Sequence, residues 1–172
     1  AAAVVAAHDN GELTSIDGDF NTTVTGTAAA TDLTSIATAT SGTITASGVT
    51  TITGTATAIM AAHDNGELAS IDGAFAATVT GTAPEDEMTS LNTATSGAIN
   101  ASGVTAITSG TADDVAALIA DATVTFASDV DVTGTGTAAA TDLTSIAAAT
   151  SGTITASGVT NITGTAAAVV AA

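Results

Sequence analysis

The chain has 172 residues, of which 17 are acidic and two are histidine; with no lysine or arginine, its formal net charge is −17. Nucleic acid is thereby excluded as a partner, because phosphate binding runs on Lys and Arg, and an anionic membrane surface repels the chain for the same reason. Cysteine is absent, so neither disulfides nor thiolate metal sites hold the fold; a mean hydropathy of +0.51 with regularly recurring apolar residues predicts an ordered core.

In chain order, the opening "AAAVVAAHDNGEL" starts in mid-phrase, as an interior piece of a longer protein would. It predicts a helix end followed by an Asn-Gly turn, with His8 near the last carbonyls. No apolar run is long enough to span a membrane, and no basic region precedes a signal core, so no membrane insertion is expected. After "IDGDF" and the strand-like "TVT" at Thr23 to Thr25 comes Gly26-Thr27, the first of six Gly-Thr or equivalent steps. At each, the Thr stands where a helix N-cap is expected. Leu33 and Ile36 then give an i, i+3 apolar pair on a short helix, and "GTITASGVTTITG" reads as strand, with Ser47-Gly48 expected to turn the chain.

The second passage begins with "HDNGEL" at His63 to Leu68. Thr82 and Glu85 form a capping-box pattern that puts Pro84 in the first helical turn. Thr111 with Asp114 repeats the signal, and Val115, Leu118 and Ile119 supply the apolar stripe of the next helix. "ATVTFASDVDVTG" reads as strand, Leu143 and Ile146 as helix, and the last residues, Ala166 to Ala172, repeat the first seven in phase.

The Gly steps at Gly26, Gly54, Gly81, Gly110, Gly136 and Gly164 recur about every 28 residues, a period that signals a repeat array. The fold expected is an α/β solenoid of about six coils, each a short helix plus one or two short parallel strands. The coils run near 1–25, 26–53, 54–80, 81–109, 110–135 and 136–163, with 164–172 opening another; together they form one array over 1–172. Pairs of coils repeat more faithfully still, so stacking is expected to align three core ladders: Ile44, Ile99 and Ile154; Val49, Val104 and Val159; Ile52, Ile107 and Ile162. The "AAAVVAA" phrase at both ends predicts that a further "HDNG" follows, or that copies abut end to end.

Chemistry finds few anchors. His8 and His63 would stand about 10 Å apart in the stack, too far for one ion. Asp17, Asp19, Asp129 and Asp131, with the Glu85, Asp86 and Glu87 run, are the candidate oxygen ligands for Ca²⁺. None matches a known calcium loop, and a solvated acidic face is the reading preferred over a metal site; no cofactor is expected. Thr-x-Thr steps would make a hydroxyl and methyl lattice if they stacked on one flat face, as in Thr-rich ice-binding solenoids. The alternative is that Thr simply suits a half-buried strand. Asn21, Asn100 and Asn161 open N-x-[ST] sequons, so glycans are possible partners. No nucleophile elbow and no phosphate-cradling glycine loop with Lys is present, and no enzyme is expected.

The phrases D-L-T-S-I, A-T-S-G and V-T-x-I-T-G-T-A, as in "ATDLTSIAAATSGTITASGVTNITGTAA", resemble the Thr-, Ala- and Gly-rich repeats of giant cell-surface proteins of marine cyanobacteria and related bacteria. The resemblance implies an extracellular structural array. The absence of Lys and Arg, which removes every trypsin-type cleavage site, agrees with it. The expectation is a segment that associates with copies of itself into a filament, sheath or layer; a rigid spacer in a large adhesin and an ice-binding rod are the alternatives.

Overall fold

The computed structural model describes residues 1–8 and 18–172. It is an α/β fold in which a seven-stranded parallel sheet alternates with helices. The elements are α1 (Ala2–His8), β1 (Thr22–Ala29), α2 (Ala30–Ala39), β2 (Ile44–Gly54), α3 (Ala56–His63), β3 (Ala76–Pro84), α4 (Glu85–Ala94), β4 (Ile99–Thr108), α5 (Ala112–Ala120), β5 (Val124–Phe126), β6 (Asp131–Ala139), α6 (Ala140–Ala149), β7 (Ile154–Thr163) and α7 (Ala166–Ala171). A 3-10 turn covers Gly66–Leu68. The sheet runs β1-β2-β3-β4-β6-β7, with β5 beside the first half of β4, so the strands lie in chain order. Consecutive helices touch one another and form a layer on one face of the sheet.

The core lies between sheet and helices, and alternation decides which side chains enter it. Val24 and Ala28 of β1, Ile44, Ala46, Val49 and Ile52 of β2, and Ile99, Ala101, Val104 and Ile107 of β4 point inward and are buried. From the helices, Leu33, Ile36, Ile59, Met88, Leu91, Val115, Leu118 and Ile146 meet them. Among the described residues no helix exceeds ten residues, so packing and not propensity holds each one.

Three sequence expectations need correction. The Gly-Thr steps are of two kinds that alternate. Thr55, Thr111 and Thr165 are N-caps whose hydroxyls accept the N–H three residues on. Thr27, Thr82 and Thr137, by contrast, are strand residues, opposite Thr51, Ala106 and Asn161. Their preceding glycines, at φ +73°, +83° and +74°, sit at register shifts, and the chain stays extended for two more residues before turning straight into a helix. Pro84 is therefore the cap position and last strand residue, not a first-turn residue, and Thr82 with Glu85 forms no capping box; Glu85 instead accepts a hydrogen bond from Thr89 Oγ1 at 2.5 Å.

Ser47-Gly48, read as a turn, lies inside β2. A side chain there would meet the methyl of Thr25 at 2.7 Å, and the same crowding recurs at Gly103 against Thr80 and at Gly158 against Thr135. The chain reverses instead at Ser41-Gly42, Ser96-Gly97 and Ser151-Gly152.

The ladders are real rows but not the rows expected. Ile52 is level with Ala77, which is level with Ile99 and then Val124; Ile107 continues through Val132 to Ile154. Ile44 lies opposite Thr22, and Val49, Val104 and Val159 lie opposite Gly26, Gly81 and Gly136. The cause is stagger: the second half of each long strand pairs with the beginning of the next short one, so an equivalent residue two strands on lies at a different height.

Candidate functional site

Two features stand out, a clasp that recurs with the longer period and a sheet edge that occurs once, and both are structural. The first is a clasp built on the "TSG" phrases. Thr40, Thr95 and Thr150 end α2, α4 and α6 and are buried polar residues. Each hydroxyl donates to a carbonyl of the segment before a short strand: Thr40 to Phe20 at 2.5 Å, Thr95 to Phe75, and Thr150 to Val130 at 2.6 Å. Each also accepts the N–H of the glycine two residues on, at 2.9 Å in all three. The intervening serine N–H reaches the carbonyl of Gly18, Gly73 or Ser128. A β-carbon on Gly42, Gly97 or Gly152 would overlap the carbonyl oxygen that the threonine binds, so the three-residue phrase is specified atom by atom. Sequence reading took "ATSG" as a marker of the repeat and missed this role. The signal was a hydroxyl residue recurring at one spacing beside an obligate glycine.

The second feature is the free edge at β7. Its sequence matches β2 and β4 at Ile154, Val159 and Ile162, whose counterparts are almost fully buried. At β7 the first two are half-buried and Ile162 is 44% exposed, while Val170 of α7 is 89% exposed. An apolar surface that the next strand and helix cover inside the protein is thus open at this end.

The candidate ligand residues do not converge. Asp17, with residues 9–16, lies outside the described residues, so the first "HDNGEL" phrase and its pairing with His63 are not described. Asp19 and Asp129 are exposed in turns before β1 and β6. The Asp131 carboxylate accepts the Thr153 N–H at 2.6 Å, the place Asn21 takes toward Thr43 at 2.7 Å, so it splices one strand to the next. Among the described residues, no group of three His, Cys, Asp or Glu side chains is placed to hold a metal ion. His63 closes α3, its Nδ1 2.9 Å from Asp64 Oδ1 and its ring 5.8 Å from that of Phe75. Asn65 Oδ1 accepts the Glu67 N–H at the turn that follows. Glu85, Asp114 and Asp121 flank a groove between α4 and α5. Within it the Asp121 carboxyl is held below its ordinary pKa, chiefly by the Thr123 hydroxyl and N–H and then by the Asn92 amide.

The outer sheet face carries the Thr-x-Thr steps, with Thr23 beside Thr45, Thr53 beside Thr78 and Thr133 beside Thr155. The row between is broken each time, because Thr25, Thr80 and Thr135 lie opposite glycines over which their methyls lean. The sequon residues Asn21, Asn100 and Asn161 are exposed, and Asn100 Oδ1 is taken by Ser102. No helix among the described residues is long and apolar enough to cross a membrane. Compared with protein-family models, with curated proteins and with solved structures, the chain matches none.

Proposed function

We propose that this chain is a structural repeat segment of an extracellular or cell-surface array: an α/β solenoid of staggered coils that associates end to end into a filament, sheath or layer. One observation carries the reading. β7 repeats the inward-facing residues of β2 and β4, each of which accepts a following short strand, and β1 at the opposite end of the sheet is a strand of that accepted type. Parallel-strand edges with matching faces pair readily, and a head-to-tail contact that does not close gives an open fibre. Composition supports the setting: a chain of charge −17 with no cationic side chain suits a saline medium that screens it, and offers trypsin-like proteases nothing to cut.

The test is electron microscopy of the isolated chain over a concentration series in moderate salt, beside an Ile162→Asp variant. Filaments from the parent and single particles from the variant support the proposal. Monodisperse short rods from both turn the reading to a spacer that only holds other domains apart.

A further inference from the structure

We infer that Asn92 and Thr123 are the two halves of a covalent cross-link: the Thr123 hydroxyl attacks the Asn92 side-chain amide, ammonia leaves, and an ester joins α4 to the segment before β5. The repeat itself singles the pair out. One step of 55 residues to either side of Asn92 stand Ala37 and Ala147, and the linker that matches 121–130 is built differently, around the 3-10 turn at Gly66–Leu68. Two departures from an otherwise copied sequence thus meet each other in space.

They meet in an arrangement suited to acyl transfer. Asn92 Nδ2 donates to Asp121 Oδ2 at 2.8 Å, and Thr123 Oγ1 lies 2.6 Å from Asp121 Oδ1 and 2.7 Å from Asn92 Oδ1. The hydroxyl has one proton for those two acceptors; with the proton toward the carboxylate, a lone pair of Oγ1 is left facing the amide. Because a C=O bond is about 1.2 Å long, Oγ1 stands within about 3.9 Å of Asn92 Cγ, close to the about 3–3.5 Å of a near-attack arrangement. Asp121 closes α5 and also accepts the Thr123 N–H at 2.8 Å, so base and nucleophile are held as one unit. The carboxylate touches both ends of the reaction. As the Oγ1–Cγ bond forms it takes the hydroxyl proton, and as the Cγ–Nδ2 bond breaks it passes that proton to the departing nitrogen, which leaves as ammonia. One C–N bond is exchanged for one C–O bond, with no oxidant and no co-reactant. An amide is a reluctant acyl donor, and Asn92 and Asp121 are only half-buried, so the step is slow and happens once per chain, drawn forward by escape of ammonia into solvent. A freshly folded chain is therefore still unlinked. The ester closes the loop from 92 to 123 in a protein that has no cysteine to close it with a disulfide.

The experiment follows the intact mass of the full chain, shown to be folded by circular dichroism, over days at neutral pH. Cleavage after acidic residues then separates Asn92 from Thr123, since Asp113, Asp114 and Asp121 lie between them. The expected result is a mass lower by one ammonia, with the Asn92 and Thr123 peptides still joined and released from each other by hydroxylamine. Thr123→Ser keeps the nucleophile and should still link, whereas Thr123→Val and Asn92→Ala should hold their sequence masses. Asp121→Asn should slow the link by about a hundredfold or more. A folded parent chain that keeps its full mass overturns the inference. So does a loss of ammonia that Thr123→Val shows equally, which would place the loss elsewhere, as at Asn65-Gly66, where the backbone nitrogen can close a ring on the amide. A link formed by Asp121→Asn at the parent rate overturns the role given to the carboxylate.

Discussion

Replacing Thr95 by valine tests whether the clasp ties the end of α4 to the segment before β3. The side chain keeps its shape and branching but loses the oxygen that donates to the Phe75 carbonyl and accepts the Gly97 N–H. Thr95 is almost fully buried, so water cannot readily take over both partners. An unsatisfied buried backbone group costs about 1–3 kcal/mol. The bond to Gly97 is only partly buried, so the expected loss is about 2–4 kcal/mol in total. Thr95→Ser keeps both hydrogen bonds and removes one methyl, a loss of about 1 kcal/mol. Urea unfolding followed by far-ultraviolet circular dichroism is the assay, since the chain has no tryptophan or tyrosine to report by fluorescence. With a slope of about 2 kcal/mol per molar, the valine variant should lose about 1–2 M in midpoint and the serine variant about half a molar. A valine variant no less stable than the serine one would show that the hydroxyl contributes nothing and that the clasp is only a turn.

Ile107 and Ile162 occupy the same place in the repeat but differ in cover, so Ile107→Ala should cost about 3 kcal/mol and Ile162→Ala under about 1 kcal/mol in dilute solution, read from the same unfolding curves. Equal losses would mean that the β7 edge is covered after all. Thr111→Ala should cost about 1 kcal/mol through loss of an N-cap, while Thr82→Ala, in a strand, should cost well under half of that; this pair checks the alternation of the two Gly-Thr steps. Asp121 should titrate below an ordinary aspartate in a carbon-detected NMR titration, and Thr123→Val should bring its midpoint back up. Because the folded pKa is the lower one, its stabilisation is present above the unfolded value and is lost as pH falls through the folded one; a midpoint unmoved by Thr123→Val would assign the shift to another neighbour.

The repeat, the parallel strands and the inward residues were legible because they depend on period and alternation alone. Stagger was not. Whether Ile99 stands level with Ile44 or with Ile52 depends on which half of a long strand the next one pairs with, and no local pattern records that. The two kinds of Gly-Thr step look alike over three residues, and what separates them is the strand partner that Thr27, Thr82 and Thr137 find elsewhere in the chain. Ser47-Gly48 misled for a related reason: its glycine answers to a methyl on the neighbouring strand, not to a turn of its own.

The direct passage from β1 into α2, β3 into α4 and β6 into α6, with no residue between, has a consequence for how such a chain can change over time. A join without slack cannot take up extra residues without unseating a strand or a helix. Length variation has room at 64–75 and 121–130, which occupy matching places yet already differ, one holding a 3-10 turn and the other the extra strand β5. Both approach the sheet where its short strands begin. New segments should therefore collect along that one margin, leaving the helical layer and the opposite rim to be copied unchanged.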